Sequence, residues 1–302
     1  MKHLLCFVLV SLVANSKAVQ ALERIQGFCV DADSKKGIPF ASILLQNTKL
    51  ITDADSSGFF EIDIIGDDTL LITSIGYRDQ KIATSDLKKE PTVFLQPLPV
   101  QLSEVFVGKK QSMTIGLTKG KKRFDMNSDD CVRFEMATRV NVPDNVGQFQ
   151  LKRISIKGIG FNEANPVRIH IYNVGKFGEP AYELMKKDIV ITKNSSKNNV
   201  LHIDVEDQGI FLSDDQFFVG VQWIADSINK ERINIKKRPV VGPGIYCSFS
   251  NTTTVTYTRS LNLNGYKWML HADRILYPFD YDKMPSKIKS PLNMLVSCDI
   301  LY

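Results

Sequence analysis

The chain has 302 residues, 43% hydrophobic and 24% charged, with 38 Lys and Arg against 33 Asp and Glu. That is the make-up of an ordinary globular protein of about two domains. The near balance of charge argues against a nucleic-acid partner, and no apolar run beyond residues 4–13 approaches the thickness of a bilayer, which excludes a polytopic membrane protein.

Lys2 precedes the apolar residues 4–13, and Val19-Gln20-Ala21 fits a small-x-small cleavage site. This order predicts a signal peptide over residues 1–21 and a mature chain starting at Leu22. Cys6 lies inside the apolar stretch, too early to carry a lipid after cleavage, so a soluble exported product without an integral membrane span is expected, in the periplasm or at the cell surface. Losing Lys2 and Lys17 and no acid lowers the formal charge from +5 to +3. Cys29, Cys131, Cys247 and Cys298 remain. Four cysteines allow three full pairings. The alternation of Cys298 with Met294, Val296 and Ile300 favours buried free thiols instead, and no CxxC motif supports a zinc or redox site.

Residues 22–107 form a first unit. Residues 25–30 read as a strand ending at Asp31-Ala32-Asp33-Ser34, and residues 40–46 follow as a strand after the Gly37-Ile38-Pro39 turn. Asp55-Ser56-Ser57-Gly58 is a turn, with Gly58 free to take positive φ. Phe60, Ile62 and Ile64 then alternate with Glu61 and Asp63, as a half-buried strand requires. Residues 69–74 form a strand closed by Gly76-Tyr77, and residues 92–95 form another. No segment carries a sustained helical period, so a small all-β sandwich is expected.

Four motifs carry a resemblance. Ile25-x-Gly27-x-x-Val30 with Asp33, Ile38-Pro39-x-Ala41-x-Ile43, Asp53-x-x-x-x-Gly58-x-Phe60, and Ser74-x-Gly76-Tyr77 together resemble the carboxypeptidase-D regulatory-like domain. The resemblance implies a transthyretin-like (prealbumin-like) sandwich of about seven strands over most of residues 22–107. Residues 102–107 also resemble the segment that follows this domain in outer-membrane receptors of Bacteroidetes-type bacteria. Fewer than 200 residues remain here, too few for a plug and long barrel. The resemblance therefore implies an envelope protein and not a receptor. It brings no peptidase activity, because the domain is an accessory that holds none of the zinc ligands.

Residues 108–123 contain Lys109, Lys110, Lys119, Lys121, Lys122 and Arg123 and no acid. A basic linker is expected, with contact to an anionic surface or lipopolysaccharide as its functional reading. Residues 124–302 are again strand-rich. Val167, Ile169 and Ile171 alternate with Arg168, His170 and Tyr172; Leu201, Ile203 and Val205 alternate with His202 and Asp204; Phe217, Val219, Val221 and Trp223 share one strand face. This spacing predicts a second, jelly-roll-type sandwich.

The search for chemistry is largely negative. The mature chain has three His, His170, His202 and His271, and no HxxE or HExxH motif. His170, His202 and Asp204 would make a metal site only if their strands were neighbours. No GxSxG elbow and no phosphate-cradling Gly loop appears. Cys247 with His271 is a conceivable nucleophile and base, joined by nothing in the pattern. Asp214, Asp215, Asp280 and Asp282 are loop carboxylates of the kind a glycosidase would pair, but such residues abound in loops. Asn194-Ser195-Ser196 and Asn251-Thr252-Thr253 match glycosylation acceptors by chance of loop composition. Trp223 belongs to the core, while Tyr266, Trp268 and Tyr281 are candidate ligand-binding residues, an aromatic platform for sugar rings. The expectation is thus an exported, non-catalytic envelope protein without cofactor or metal, binding or scaffolding an envelope protein or a glycan. A carbohydrate-binding module is the first alternative and a hydrolase with a cleft joining His170 or His271 to carboxylates the second.

Overall fold

A computed structural model describes residues 22–99, 111–119, 122–124, 134–161, 166–192, 199–224, 244–249, 255–259, 267–270 and 292–302. Residues 1–21, where a signal peptide is expected, Cys131, His271, the two glycosylation-like sites and Asp280 and Asp282 lie outside them.

The first unit runs β1 (Leu22–Asp31), β2 (Ser42–Leu45), β3 (Ile51–Asp53), β4 (Phe59–Ile65), β5 (Thr69–Thr73), β6 (Gln80–Ala83), α1 (Thr84–Lys89) and β7 (Thr92–Leu95). Two sheets, β4-β1-β7 and β3-β2-β5-β6, face each other. All pairs are antiparallel except β1 with β7. The inward positions of the alternating strands, among them Ile25, Cys29, Ile43, Phe60, Ile62, Ile64, Leu70 and Ile72, make one core. This is the seven-stranded sandwich the motifs imply. At the predicted turn Asp55 Oδ1 accepts from the Ser57 and Phe59 amides, and Gly58 has φ +85. Phe40, expected in a strand, instead lies in the turn before β2 with φ +56. The short helix α1 is a correction to the reading without helices. Only Thr84 and Leu87 of it are buried, so six residues bridging β6 to β7 leave no helical period to detect.

The second unit runs β8 (Ser112–Gly116), β9 (Lys122–Phe124), β10 (Glu135–Asn141), β11 (Phe149–Ile159), β12 (Val167–Val174), β13 (Pro180–Glu183), β14 (Val190–Ile191), β15 (Val200–Asp204), β16 (Phe211–Leu212), β17 (Gln216–Trp223), β18 (Gly244–Phe249), β19 (Thr256–Arg259), β20 (Met269–Leu270), β21 (Leu292–Met294) and β22 (Val296–Leu301). One sheet has the order β13-β12-β17-β10-β19-β20, with β14 on β12. The other has the order β21-β18-β11-β22-β8, with β15 and β16 on β11 and β9 on β18. The strands β10, β11, β12, β15, β17, β18, β19 and β22 alternate between the two sheets in chain order. That winding makes a two-sheet antiparallel sandwich, and the core between the sheets holds Phe149 against Phe217 (6.0 Å) and Phe134 against Trp223 (5.5 Å). Trp223 is core, as its strand face predicts.

Part of the expected linker is sheet. β8 forms an edge on β22, with Ile115 opposite Cys298 and buried, and β9 pairs with β18. Lysines flanking a single inward Ile115 read as linker from composition alone, yet charge is what an edge strand tolerates. Cys29, Cys247 and Cys298 are buried free thiols. Burial pushes Cys29 and Cys247 up to about 12 and Cys298 higher still, so the three are unreactive at neutral pH.

Candidate functional site

The alternation along β12 predicts one apolar and one solvated face. The apolar face behaves as expected: Val167, Ile169 and Ile171 enter the core. The polar face differs, because Arg168, His170 and Tyr172 are buried as well. Register explains why they meet other polar groups. Arg168 stands opposite Gln222 on β17, and Gln222 in turn opposite Glu135 on β10, which faces Arg259 on β19. One sheet face thus carries a row of charged and amide side chains across four strands.

Glu135 and Arg259 form the inner pair. Arg259 Nε donates to Glu135 Oε2 at 2.8 Å, and its Nη2 lies 2.7 Å from the same oxygen. Tyr172 donates its hydroxyl to Glu135 Oε1 (2.7 Å) and accepts from Arg259 Nη2 (3.0 Å). The Arg259 guanidinium sits 4.2 Å from the Trp268 ring centroid. His170 forms the middle of the site. Its Nδ1 lies 2.5 Å from Glu183 Oε2 and its Nε2 3.2 Å from Gln222 Oε1, while its ring stacks on Tyr172. Glu183 Oε1 accepts the Ile171 and Met185 amides at 3.1 Å, which fixes β13 against β12. Arg168 closes the row. It donates Nε to both Asp188 oxygens (2.9 and 3.0 Å), Nη1 to Gln222 Oε1 (2.9 Å), and Nη2 to the Phe40 carbonyl of the first sandwich.

Room for this packing comes from Gly220. A Cβ there would stand 3.0 Å from Glu135 Oε1, 3.0 Å from His170 Cβ and 3.1 Å from the Tyr172 ring.

The first sandwich covers the row with its Ser74–Tyr77 turn. Tyr77 donates its hydroxyl to Asp31 at 2.8 Å, and Leu98 N donates to the Gly76 carbonyl, so the turn is braced from both sides. Ile75 packs on the core of the second sandwich. Gly76 has φ +88 and would bring a Cβ within 2.6 Å of the Lys186 carbonyl. The Ser-x-Gly-Tyr motif is therefore a docking turn as well as a strand terminator. Between the units a cleft of about 380 Å³ stays open, lined by Ser42, Thr73, Ser74 and Tyr77 from one side and His170, Glu183 and Arg259 among others from the second.

The electrostatics follow from burial opposed by pairing. Burial alone would raise the Glu135 pKa, but Arg259, His170 and the Tyr172 hydroxyl outweigh it and hold the carboxyl below its ordinary 4.5. Burial would likewise lower His170, but Glu135 and Glu183 outweigh it and the opposing charge of Arg168, and its pKa stands above the ordinary 6.5. Tyr77 is pushed up to about 12 by burial and by Asp31. The resulting site sets two guanidiniums, Arg168 and Arg259, and the imidazole of His170 against three carboxylates, Glu135, Glu183 and Asp188.

Of the residues singled out by sequence, the structure brings His170 to this cleft and leaves His202 and Asp204 on the other sheet, where His202 bonds Ser155 (2.8 Å). Among the described residues no group of three or more His, Cys, Asp or Glu is placed to hold a metal ion. Trp268 lies behind the cleft, edge-on to Tyr172 and with Arg259 over its ring. Tyr266 and Tyr281 lie outside the described residues. Glu135, Glu183, Gln222 and Arg259 were missed by sequence reasoning. The one available signal was a strand in which Arg168, His170 and Tyr172 share a face with no acid between them.

A family model described as CarboxypepD_reg-like domain matches residues 25–107. No curated protein matches the chain. A solved structure described as carbohydrate-binding modules from the beta-sandwich super family aligns over 83% of this chain and 99% of its own, at 9% identity and a TM-score of 0.14. A likeness at that level carries no argument.

Proposed function

We propose that this chain is an exported, non-catalytic binding protein of the cell envelope, whose two sandwiches present the cleft between them to a small polar ligand or a partner's loop. The observation that carries this reading is the complete internal pairing of the cleft's titratable groups. A general base needs a free lone pair near substrate. Both His170 nitrogens already face Glu183 and Gln222, and Tyr172 is held by Glu135 and Arg259. Such an arrangement holds charges still and leaves the hydroxyls of Thr73 and Ser74 at the cleft wall to meet a ligand, while that of Ser42 donates to Asp53 (3.0 Å). Trp268 enters as the support of Arg259, a role that differs from a sugar platform.

Export rests on Lys2, the apolar residues 4–13 and the small-x-small site at residues 19–21, and among the described residues no helix is long and apolar enough to cross a membrane. The test is a broad glycan array and an envelope cross-linking search on the parent and on Glu183→Gln and Trp268→Ala. Capture of one ligand or partner that weakens in both variants supports the cleft. Hydrolytic turnover on a broad substrate panel, lost in His170→Gln, would overturn the non-catalytic reading.

A further inference from the structure

The outer face of the eight-stranded sheet carries a second depression, of about 320 Å³, that is separate from the cleft. It crosses β15, β11, β22 and β8, a span of about 15 Å at the usual spacing of ~4.8 Å between strands. Register builds its floor: Ser155 faces His202 on one side and Ser297 on the other. The Ser155 hydroxyl and His202 Nδ1 are 2.8 Å apart. One wall holds Arg153, Asp299 and Thr114. Asp299 is engaged there by the Thr114 hydroxyl (2.7 Å) and by Arg153 (3.8 Å). The opposite wall holds Lys157, Val200 and Leu295. Lys157 has no carboxylate partner among the described residues, and its ammonium lies 5.6 Å from the Tyr246 ring centroid.

A second, independent feature points to the same place. Thr114, Leu117 and Thr118 line the depression and belong to residues 108–123, the stretch with six Lys and Arg and no acid. Exposed Lys119 follows directly. Residues 112–116 of that stretch are paired along the trough as β8 and do not hang between domains, but they hold none of its basic residues, so the charge it brings beside the trough is that of Lys119.

We propose that this trough binds an acidic polysaccharide. Sugar hydroxyls would meet Ser155, Ser297 and His202, and carboxylates on the chain would meet Lys157, helped by the exposed Lys119 beside Thr118. The concave shape favours a polymer strand over a flat bilayer, which could not reach the serines on the floor.

The test is affinity electrophoresis of the full chain in gels containing polygalacturonate, with dextran as the neutral control. The expected result is retardation by polygalacturonate alone, weakened by added salt. Lys157→Ala and His202→Ala should each lower the affinity at least ten-fold. Both positions are solvent-accessible, so the variants should melt with the parent. Glu183→Gln, in the cleft, should bind polygalacturonate as the parent does, which keeps this proposal distinguishable from the cleft reading. Absence of retardation, equal retardation by dextran, or unchanged binding in both trough variants overturns it. So does Lys157-dependent capture by vesicles of anionic phospholipid without polygalacturonate binding, which would assign the face to membranes.

Discussion

His170 is a buried imidazole whose protonated form is favoured by Glu135 and Glu183 against its own desolvation. Because its folded pKa is raised above 6.5, the stability it supplies is fully present below that value and is lost as pH rises through the folded pKa. Glu135 works in the opposite direction: its folded pKa is depressed, so its contribution is present above about 4.5 and disappears as pH falls through the folded value. Urea titrations should therefore show the parent's stability advantage over His170→Gln largest below about pH 6.5 and shrinking as pH rises above it. An advantage independent of pH would refute the protonated pairing. Removing Arg259 leaves Glu135 buried without its main counter-charge, so Arg259→Met should cost about 3–5 kcal/mol. Gly220→Ala forces a methyl against three neighbours at once and should cost about 1–3 kcal/mol in the same titrations.

Strand β12 shows how an element can satisfy two environments. Its inward residues build the sandwich core, and its outward ones build a polar row that a second sandwich then covers. Period-two alternation reveals the first face and says nothing about what covers the second. The Ser74–Tyr77 turn is the complementary element, and Gly76 is its critical position because both φ and space exclude a side chain. Gly76→Ala should cost on the order of 1–3 kcal/mol from backbone strain, and more if the Lys186 carbonyl cannot retreat. Limited proteolysis should then cut between the units sooner than in the parent. Equal cleavage rates would mean the turn does not hold the joint. β8 teaches a related lesson, since a strand with one buried residue and basic flanks is readable as linker until its partner β22 is known.

At the scale of the whole molecule, the two sandwiches share a contact built from Ile75, Gly76, Arg168 and the Phe40 carbonyl. Scanning calorimetry of the parent should give one cooperative transition. Arg168→Ala removes the link to Phe40 and leaves Asp188 without its guanidinium, and it should split the trace into two. A single transition at an unchanged Tm would show that the joint contributes little. With Cys29, Cys247 and Cys298 all buried and free, a reducing agent should leave the parent's Tm unaltered. A marked fall would reveal a disulfide.

Much of this protein was legible in the chain itself. Alternating apolar residues marked most of the longer strands, turn residues such as Asp55 and Gly58 placed the bends, and Phe217, Val219, Val221 and Trp223 declared a core face. Those features are local, written in residues one or two positions apart. The candidate site is not local. Arg168, Glu183, Gln222, Glu135 and Arg259 come from five separate strands, and strand order and register alone bring them into one row. Whether a polar strand face meets water or another domain depends on what docks upon it, so only the tertiary structure could turn His170 from a solvated side chain into the centre of a buried network.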